Sequence, residues 1–276
     1  MNPSAVFAVA GWELRLAVRG RLVMGTALVF TVVCVVATLL GLRSLSSLGL
    51  AGVGSGTGAL INLAILFPPL MGIMLGANSL SSARERSLLP LMLVQPLSRL
   101  DHVCGVVLGL VGAVWLTIGF GFGASALLLA GVAGTADVAG LLAIVASTLG
   151  VGVVSVALGV AISALASSRL QALGLSMGLW FLFAFAIDLV LAGVAAAVHL
   201  GPLGLFVGVL MNPLEAGRVL MVLASGGDAL TLGPFGAYLN VTVGTVGSAL
   251  AVCASLATWT VLSVVVAWAG ISRREP

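Results

Sequence analysis

Six long apolar stretches, separated by short segments that hold most of the charges, form the pattern of this chain. The stretches are continuous rather than alternating, which favours membrane-spanning helices over the strands of a β-barrel. Each is long enough for the roughly 20 residues that a helix needs to cross the apolar part of a bilayer. The predicted spans are residues 22–42, 60–80, 102–132, 138–166, 170–198 and 238–270.

Composition supports a membrane protein. The chain of 276 residues is 61% hydrophobic and 7% charged, whereas soluble domains are about 45–50% apolar with about a quarter of their residues charged. We therefore expect a single all-α polytopic membrane domain, residues 1–276, in contact with membrane lipid.

A polar segment before the first span predicts a helix at the membrane surface. Residues 3–21 carry Glu13, Arg19 and Arg21, and Trp12 is an aromatic anchor of the kind found at membrane interfaces. We expect this segment to form an amphipathic interfacial helix.

A second amphipathic segment, residues 84–99, separates the second and third spans. It is too polar for burial in lipid and too apolar for a free loop. This balance favours a short helix at the membrane surface that is presented to something outside the membrane. Its four charged residues are Arg84, Glu85, Arg86 and Arg99.

The distribution of arginine predicts the orientation. With both termini on the same side of six spans, that side has nine arginines and the other has only Arg43 and Arg218. This excess indicates that both termini and residues 84–99 are cytoplasmic. Because topology explains the net charge of +3, we expect no nucleic-acid partner. The nine are Arg15, Arg19, Arg21, Arg84, Arg86, Arg99, Arg169, Arg273 and Arg274.

The chain contains no lysine, which excludes a Walker-type phosphate-binding loop, because that loop needs a lysine to hold the β and γ phosphates of ATP. Cys34, Cys104 and Cys253 are far apart in the sequence, which favours packing over metal binding. We therefore expect no catalytic residue, metal site or bound cofactor on this chain. The glycine-rich residues 52–58 are interpreted as a flexible outer loop.

Glycines also recur inside the third span, at Gly105, Gly109 and Gly112. Small residues at this spacing let helix backbones approach closely in a membrane. The pattern predicts tight helix packing, either within the chain or between subunits.

The fifth predicted span contains a carboxylate, Asp188. Intramembrane carboxylates are energetically costly and are functional candidates for that reason. The alternative is an Asp188 side chain that is protonated or hydrogen-bonded near the outer interface.

The outer connection, residues 199–237, contains a strong helix start at Asn212-Pro213-Leu-Glu215. Asn is a preferred N-cap, Pro suits the first helical position, and Glu suits the third. We expect an amphipathic helix here, either outside the bilayer or dipping back into the bundle. Asn212, Pro213, Glu215 and Arg218 are candidate docking residues for an extracytoplasmic partner. The alternative is a pairing of Glu215 with Arg218 within the helix.

Arg84-Glu85-Arg86, the leucine-rich stretch after it and Gln95-Pro96-Leu-Ser-Arg99 together resemble the signature of ABC-2 type permeases. The resemblance implies the ABC-2 permease fold. It also implies that residues 84–99 form a cytoplasmic coupling helix in a cleft of a separate ATPase subunit, which binds ATP and Mg²⁺. The candidate contact residues that the resemblance implies are Arg84, Glu85, Arg86, Gln95, Pro96 and Arg99. The chain departs from the signature at Ser87, where glycine is usual, and at Pro90, where an acidic residue is common.

Three further motifs are similar to those of nitrous-oxide-reductase maturation permeases within this family. They are Glu13…Arg19-x-Arg21, Trp180-Phe-Leu-Phe…Asp188-Leu-Val-Leu and Asn212-Pro213-x-Glu215-x-x-Arg218. The similarity implies a homodimer in the bacterial inner membrane with two copies of a cytoplasmic ATPase. It also implies a periplasmic β-helical copper-maturation protein as partner, with a copper-chaperone lipoprotein and nitrous oxide reductase beyond it. The implied function is to couple ATP hydrolysis to copper-centre assembly in nitrous oxide reductase.

Two other functions remain open from the residues alone. A generic ABC-2 exporter of a lipid or drug would share residues 84–99 but would not need a periplasmic partner. A secondary transporter would need no ATPase and would use Asp188 as its proton or ion site.

Overall fold

The computed structural model describes residues 2–47, 54–85, 98–133, 138–198, 201–225 and 244–274. Every regular element in these ranges is helical. In chain order the elements are α1 (Pro3–Val18), α2 (Arg21–Ser47), α3 (Gly54–Glu85), α4 (Arg99–Ala133), α5 (Val138–Leu165), α6 (Arg169–Phe181), a π-helical segment (Leu182–Ala186), α7 (Ile187–Val198), α8 (Pro202–Met211), α9 (Pro213–Ala224) and α10 (Thr245–Arg274).

Within the described residues, six helical stretches are long and apolar enough to span a membrane, which confirms the predicted number. They lie in α2, α3, α4, α5, the run from α6 through the π-helical segment into α7 (Arg169–Val190), and α10. Several helix ends differ from the predicted spans by a few residues: α2 ends at Ser47 rather than at residue 42, and α3 begins at Gly54 rather than at residue 60. Residues 54–58 are therefore helical and do not form the expected loop. Helix propensity is a weak determinant, and continuity with a packed span outweighs the cost of the glycines.

The core of the bundle is built around α3, α4 and α5. Within the most apolar window of each span, 50%, 61% and 61% of these three are buried, against 22% of α2, 11% of the fifth span and 17% of α10. The three peripheral spans, which are α2, the fifth span and α10, therefore leave large apolar faces for lipid or for a second subunit to cover.

The contact between α3 and α5 is the most intimate in the bundle. A Cβ atom on Gly76 would lie 2.7 Å from the Val160 nitrogen, and one on Gly159 would lie 2.9 Å from the Ala77 nitrogen. The two backbones touch because these positions carry no side chain.

The glycine row of α4 packs against α1. A Cβ atom on Gly105 would lie 2.6 Å from Cβ of Val9, and one on Gly109 would lie 2.7 Å from Cβ of Glu13. Gly112 continues the row against the same helix. The predicted close packing is confirmed, and at these three positions its partner is the N-terminal helix of the same chain.

The outer helix pair, α8 and α9, bends by 112° between its two members. α9 then packs mainly against α5 and α10. Of the two predicted alternatives, the structure supports the helix that dips back into the bundle. By length and composition the pair forms either a broken span or a re-entrant hairpin.

Candidate functional site

Asn212 forms the corner between α8 and α9. Its backbone is extended, with φ −109° and ψ 107°, and Pro213 occupies the first position of α9. The Asn212 Oδ1 atom accepts hydrogen bonds from the backbone nitrogens of Leu214 at 3.1 Å and Glu215 at 3.4 Å. The predicted N-cap is confirmed, and it satisfies two of the backbone donors that every helix start leaves unpaired.

The other half of the Asn212 amide contacts the fifth span. Its Nδ2 atom donates to the carbonyl oxygen of Phe183 at 2.8 Å and lies 3.5 Å from Oδ1 of Asp188. Phe183 lies in the π-helical segment, and such segments are frequent at functional sites. Asn212 is completely buried, so one side chain joins the fifth span to the start of α9.

Asp188 therefore lies beside the outer helix pair, although the sequence presented the two as separate features. The contact with Asn212 Nδ2, which is long for a hydrogen bond at 3.5 Å, agrees with the alternative of a carboxylate that is weakly hydrogen-bonded near the end of its span.

Glu215 and Arg218 pair within α9, with 3.6 Å between Arg218 Nη1 and Glu215 Oε1. This is the alternative pairing considered from the sequence. The Glu215 side chain is 17% exposed and that of Arg218 is 44% exposed, while Asn212 and Pro213 are buried. Of the four candidate docking residues, Arg218 offers the largest contact surface to a partner outside the chain.

Two contacts that hold the outer helix pair were not predicted. The Ser255 hydroxyl of α10 donates to the carbonyl of Leu210 at 2.6 Å. Gly217 lies against the side chain of Val151 in α5, where a Cβ atom would collide with it. A single glycine inside an amphipathic helix was the only signal in the sequence for this second contact.

The Trp180 indole makes a further contact that was not predicted, and this one holds the fifth span against α3. Its Nε1 atom donates to the carbonyl oxygen of Leu66 at 3.1 Å. Leu66 lies just before Pro68 and Pro69, which interrupt the hydrogen bonding of α3 because proline has no backbone N–H.

The two ends of the predicted coupling segment belong to the flanking spans. Arg84 and Glu85 lie in the last turn of α3, and Arg99 is the first residue of α4. The Arg99 Nη1 atom donates to the carbonyl of Ser272, near the end of α10, at 3.1 Å. The remaining candidates, Arg86, Gln95 and Pro96, lie outside the described residues.

Arg84 and Glu85 both contact the turn between α5 and α6. Arg84 Nη1 donates to the carbonyl of Ala166 at 2.6 Å, and Glu85 Oε1 accepts from the backbone nitrogen of Arg169 at 2.8 Å. Two of the predicted ATPase contacts therefore hold a turn of their own chain.

In the N-terminal helix, Glu13 packs its Cβ atom against Gly109 of α4. Burial raises the pKa of Glu13 from its usual 4.5 to about 7. Arg19 and Arg21 are exposed at the junction of α1 and α2. This arrangement fits a helix that is anchored to the bundle by its glycine-facing side and presents its arginines to the aqueous phase.

Comparison with protein families identifies the class. The profile of ABC-2 family transporter proteins matches residues 7–273. The chain belongs to this family and is a permease subunit, the membrane component of an ABC transporter. Membership implies a partner ATPase, a dimeric assembly and a bacterial inner membrane as its location.

Two proteins are similar to this chain over most of its length, and each is named "Probable ABC transporter permease protein NosY". The one from Pseudomonas aeruginosa is 30% identical over 221 residues, which cover 78% of this chain and 80% of that protein. The one from Stutzerimonas stutzeri is 27% identical over 276 residues, which cover 98% of each chain.

Proposed function

We propose that this permease serves the assembly of the copper centres of nitrous oxide reductase. In this proposal a separate cytoplasmic ATPase, present in two copies on a permease homodimer, binds ATP and Mg²⁺. The permease binds no cofactor of its own and converts the ATPase movement into a movement on the periplasmic side. Both termini and residues 84–99 face the cytoplasm, and Arg218 faces the periplasm.

The observation that carries this proposal is the similarity to a NosY permease over 98% of both chains. A match of that extent includes the outer helix pair. The motifs around Glu13, Asp188 and Asn212 support the same subgroup, because they resemble nitrous-oxide-reductase maturation permeases in particular.

The geometry supplies a physical route for this function. Because Asn212 bonds both to the Phe183 carbonyl and to the first turn of α9, a displacement of the fifth span moves the start of α9 with it. Coupling between distant sites needs such a contiguous element that both sites can bias. The exposed Arg218 then offers α9 a charged contact to the periplasmic β-helical copper-maturation protein.

Complementation tests the proposal directly. A strain that lacks its own maturation permease receives this chain together with its ATPase, and the copper content and visible absorption of purified nitrous oxide reductase are measured. We expect restored copper centres, and none when the ATPase carries a substitution of its phosphate-binding lysine. Copper centres that stay absent with both subunits expressed would contradict the proposal.

Co-purification distinguishes the alternatives. Recovery of both the ATPase and the periplasmic β-helical protein with the tagged permease supports the proposal. The copper-chaperone lipoprotein and nitrous oxide reductase are expected to associate with the periplasmic protein rather than with the permease. An ATPase alone favours a generic exporter, and neither protein favours a secondary transporter that uses Asp188.

A further inference from the structure

Three hydrogen bonds fasten the cytoplasmic end of α3 to the end of α5 and the start of α6. The Ser81 nitrogen donates to Oγ of Ser163 at 2.8 Å, in a buried position. One turn further on, Arg84 Nη1 donates to the Ala166 carbonyl. We call these two bonds and the contact between Glu85 and the Arg169 nitrogen the cytoplasmic seam.

The two charges of the seam match the helix ends that they contact. Arg84 bonds a carbonyl just after the C-terminus of α5, where the helix dipole favours a positive charge. Glu85 bonds the first backbone nitrogen of α6, where the dipole favours a negative charge. Alanines at 77, 166 and 172 are at most 1% exposed and form one buried cluster beside it, so the turn lies tightly against α3.

The cytoplasmic seam connects the chain segment nearest the ATPase to the fifth span, which contacts Asn212 of the outer helix pair. Residues 86–97, which the proposed function places against the ATPase, follow Glu85 directly in the chain. α6 begins at Arg169 and leads into the π-helical segment, where Asn212 bonds the Phe183 carbonyl. The fifth span is thus held by Glu85 at its cytoplasmic end and by Asn212 near its outer end.

We propose that Arg84 and Glu85 are positioning residues which pass the movement of residues 86–97 to the turn at 166–169 and so to the fifth span. They do this through intrachain hydrogen bonds and are not contacts to the ATPase. This inference rests on the proposed function and names the residues through which its cytoplasmic half acts.

The two roles differ in what the removal of the Glu85 carboxylate changes. If Glu85 contacted the ATPase, removal of its carboxylate would weaken the binding of the ATPase. A transmitting contact would leave the ATPase bound and hydrolysing ATP, while the outer helix pair no longer responds. Glu85→Gln separates the bond from the charge, because its amide oxygen still accepts the N–H of Arg169.

The experiment uses the permease–ATPase complex in lipid nanodiscs with a spin label at Met211→Cys in α8, a residue that is 66% exposed. Cys34, Cys104 and Cys253 are replaced by alanine. Distances between the two labels of the homodimer are measured by pulsed electron paramagnetic resonance, without nucleotide and after trapping with ATP and vanadate. ATP hydrolysis, ATPase co-purification and nitrous oxide reductase maturation are measured in parallel.

We expect Glu85→Ala to retain the ATPase and its hydrolysis, to lose the nucleotide-dependent distance change, and to reduce maturation by roughly fivefold or more, the lower end of typical coupling between sites. Glu85→Gln should keep most of the distance change. Arg169→Ala is the matched control, since it removes a charge from the same turn but leaves the backbone N–H that Glu85 binds.

Loss of the ATPase from Glu85→Ala, or a normal distance change in that variant, would overturn the inference while the proposed function stands. The same loss of movement in Arg169→Ala would also overturn it, because a general disturbance of the turn would then explain the effect. A wild-type complex without any nucleotide-dependent change would overturn the proposed function and this inference with it.

Discussion

At the scale of single residues, Asn212 combines two tasks that proteins usually give to different side chains. Its oxygen caps α9 and its nitrogen bonds the Phe183 carbonyl of the fifth span. Because the residue is completely buried, neither task can be taken over by water without a structural change.

Substitutions at Asn212 separate the two tasks. Asn212→Ala should lower the stability by about 0.5–2 kcal/mol for the lost cap and by about 1–3 kcal/mol more for the unpaired carbonyl. Asn212→Ser keeps a capping oxygen but cannot reach the fifth span with an amide nitrogen, so it should be more stable than Asn212→Ala and still fail in maturation. Thermal unfolding in nanodiscs and the copper content of nitrous oxide reductase measure the two effects. Full maturation with Asn212→Ser would rule out the link.

Glu13 predicts a pH dependence of stability. Its pKa in the folded protein is raised to about 7 from 4.5, so the folded state binds the proton more tightly than the unfolded state does. The stabilisation from this proton is complete below pH 4.5 and is lost as the pH rises through about 7. Melting temperatures between pH 5 and 9 should therefore fall more steeply for the wild type than for Glu13→Gln. Parallel curves for the two proteins would contradict a raised pKa of Glu13.

At the scale of helices, glycines decide which surfaces touch. Gly76 and Gly159 let α3 and α5 meet backbone to backbone, and the glycine row of α4 does the same for α1. Gly150, on the same helix as Gly159, has no heavy atom within 4 Å of where its Cβ would be. One helix therefore offers both a crowded and an open glycine.

The substitution Gly159→Ala should destabilise the protein by about 1–3 kcal/mol, the usual cost of forcing an extra methyl group into a packed contact. Gly150→Ala is the matched control and should leave stability nearly unchanged. Thermal unfolding of the two variants in the same nanodiscs compares them. Equal melting temperatures would show that α3 and α5 are not in backbone contact.

The hydrophobic pattern was sufficient for the number and order of the spans, because each needs only a long apolar run. The Asn-Pro-x-Glu motif was sufficient for the start of α9, since capping is local. Contacts across the bundle were not predictable in this way. Asp188 and Asn212 are 24 residues apart, and Glu85 and Arg169 are 84 apart. The spacing of residues within one helix does not predict which residue of another helix they contact, and hydropathy does not predict the π-helical segment.

At the scale of the whole molecule, the described part of the chain has a densely packed centre and weakly buried peripheral spans. The fifth span is one of these peripheral spans, yet three hydrogen bonds at different points along its length attach it to the bundle. They involve Glu85, Trp180 and Asn212. A span with little packing and three polar attachments can move relative to lipid while staying connected to both sides of the protein. This arrangement suits a subunit that transmits movement.

The central claim is that nucleotide binding in the cytoplasmic ATPase moves the outer helix pair. The distance between Met211→Cys spin labels in the two copies of the complex, with the three native cysteines replaced by alanine, tests it most directly. We expect different distance distributions for the nucleotide-free and vanadate-trapped complexes. Identical distributions in a complex that hydrolyses ATP would contradict it.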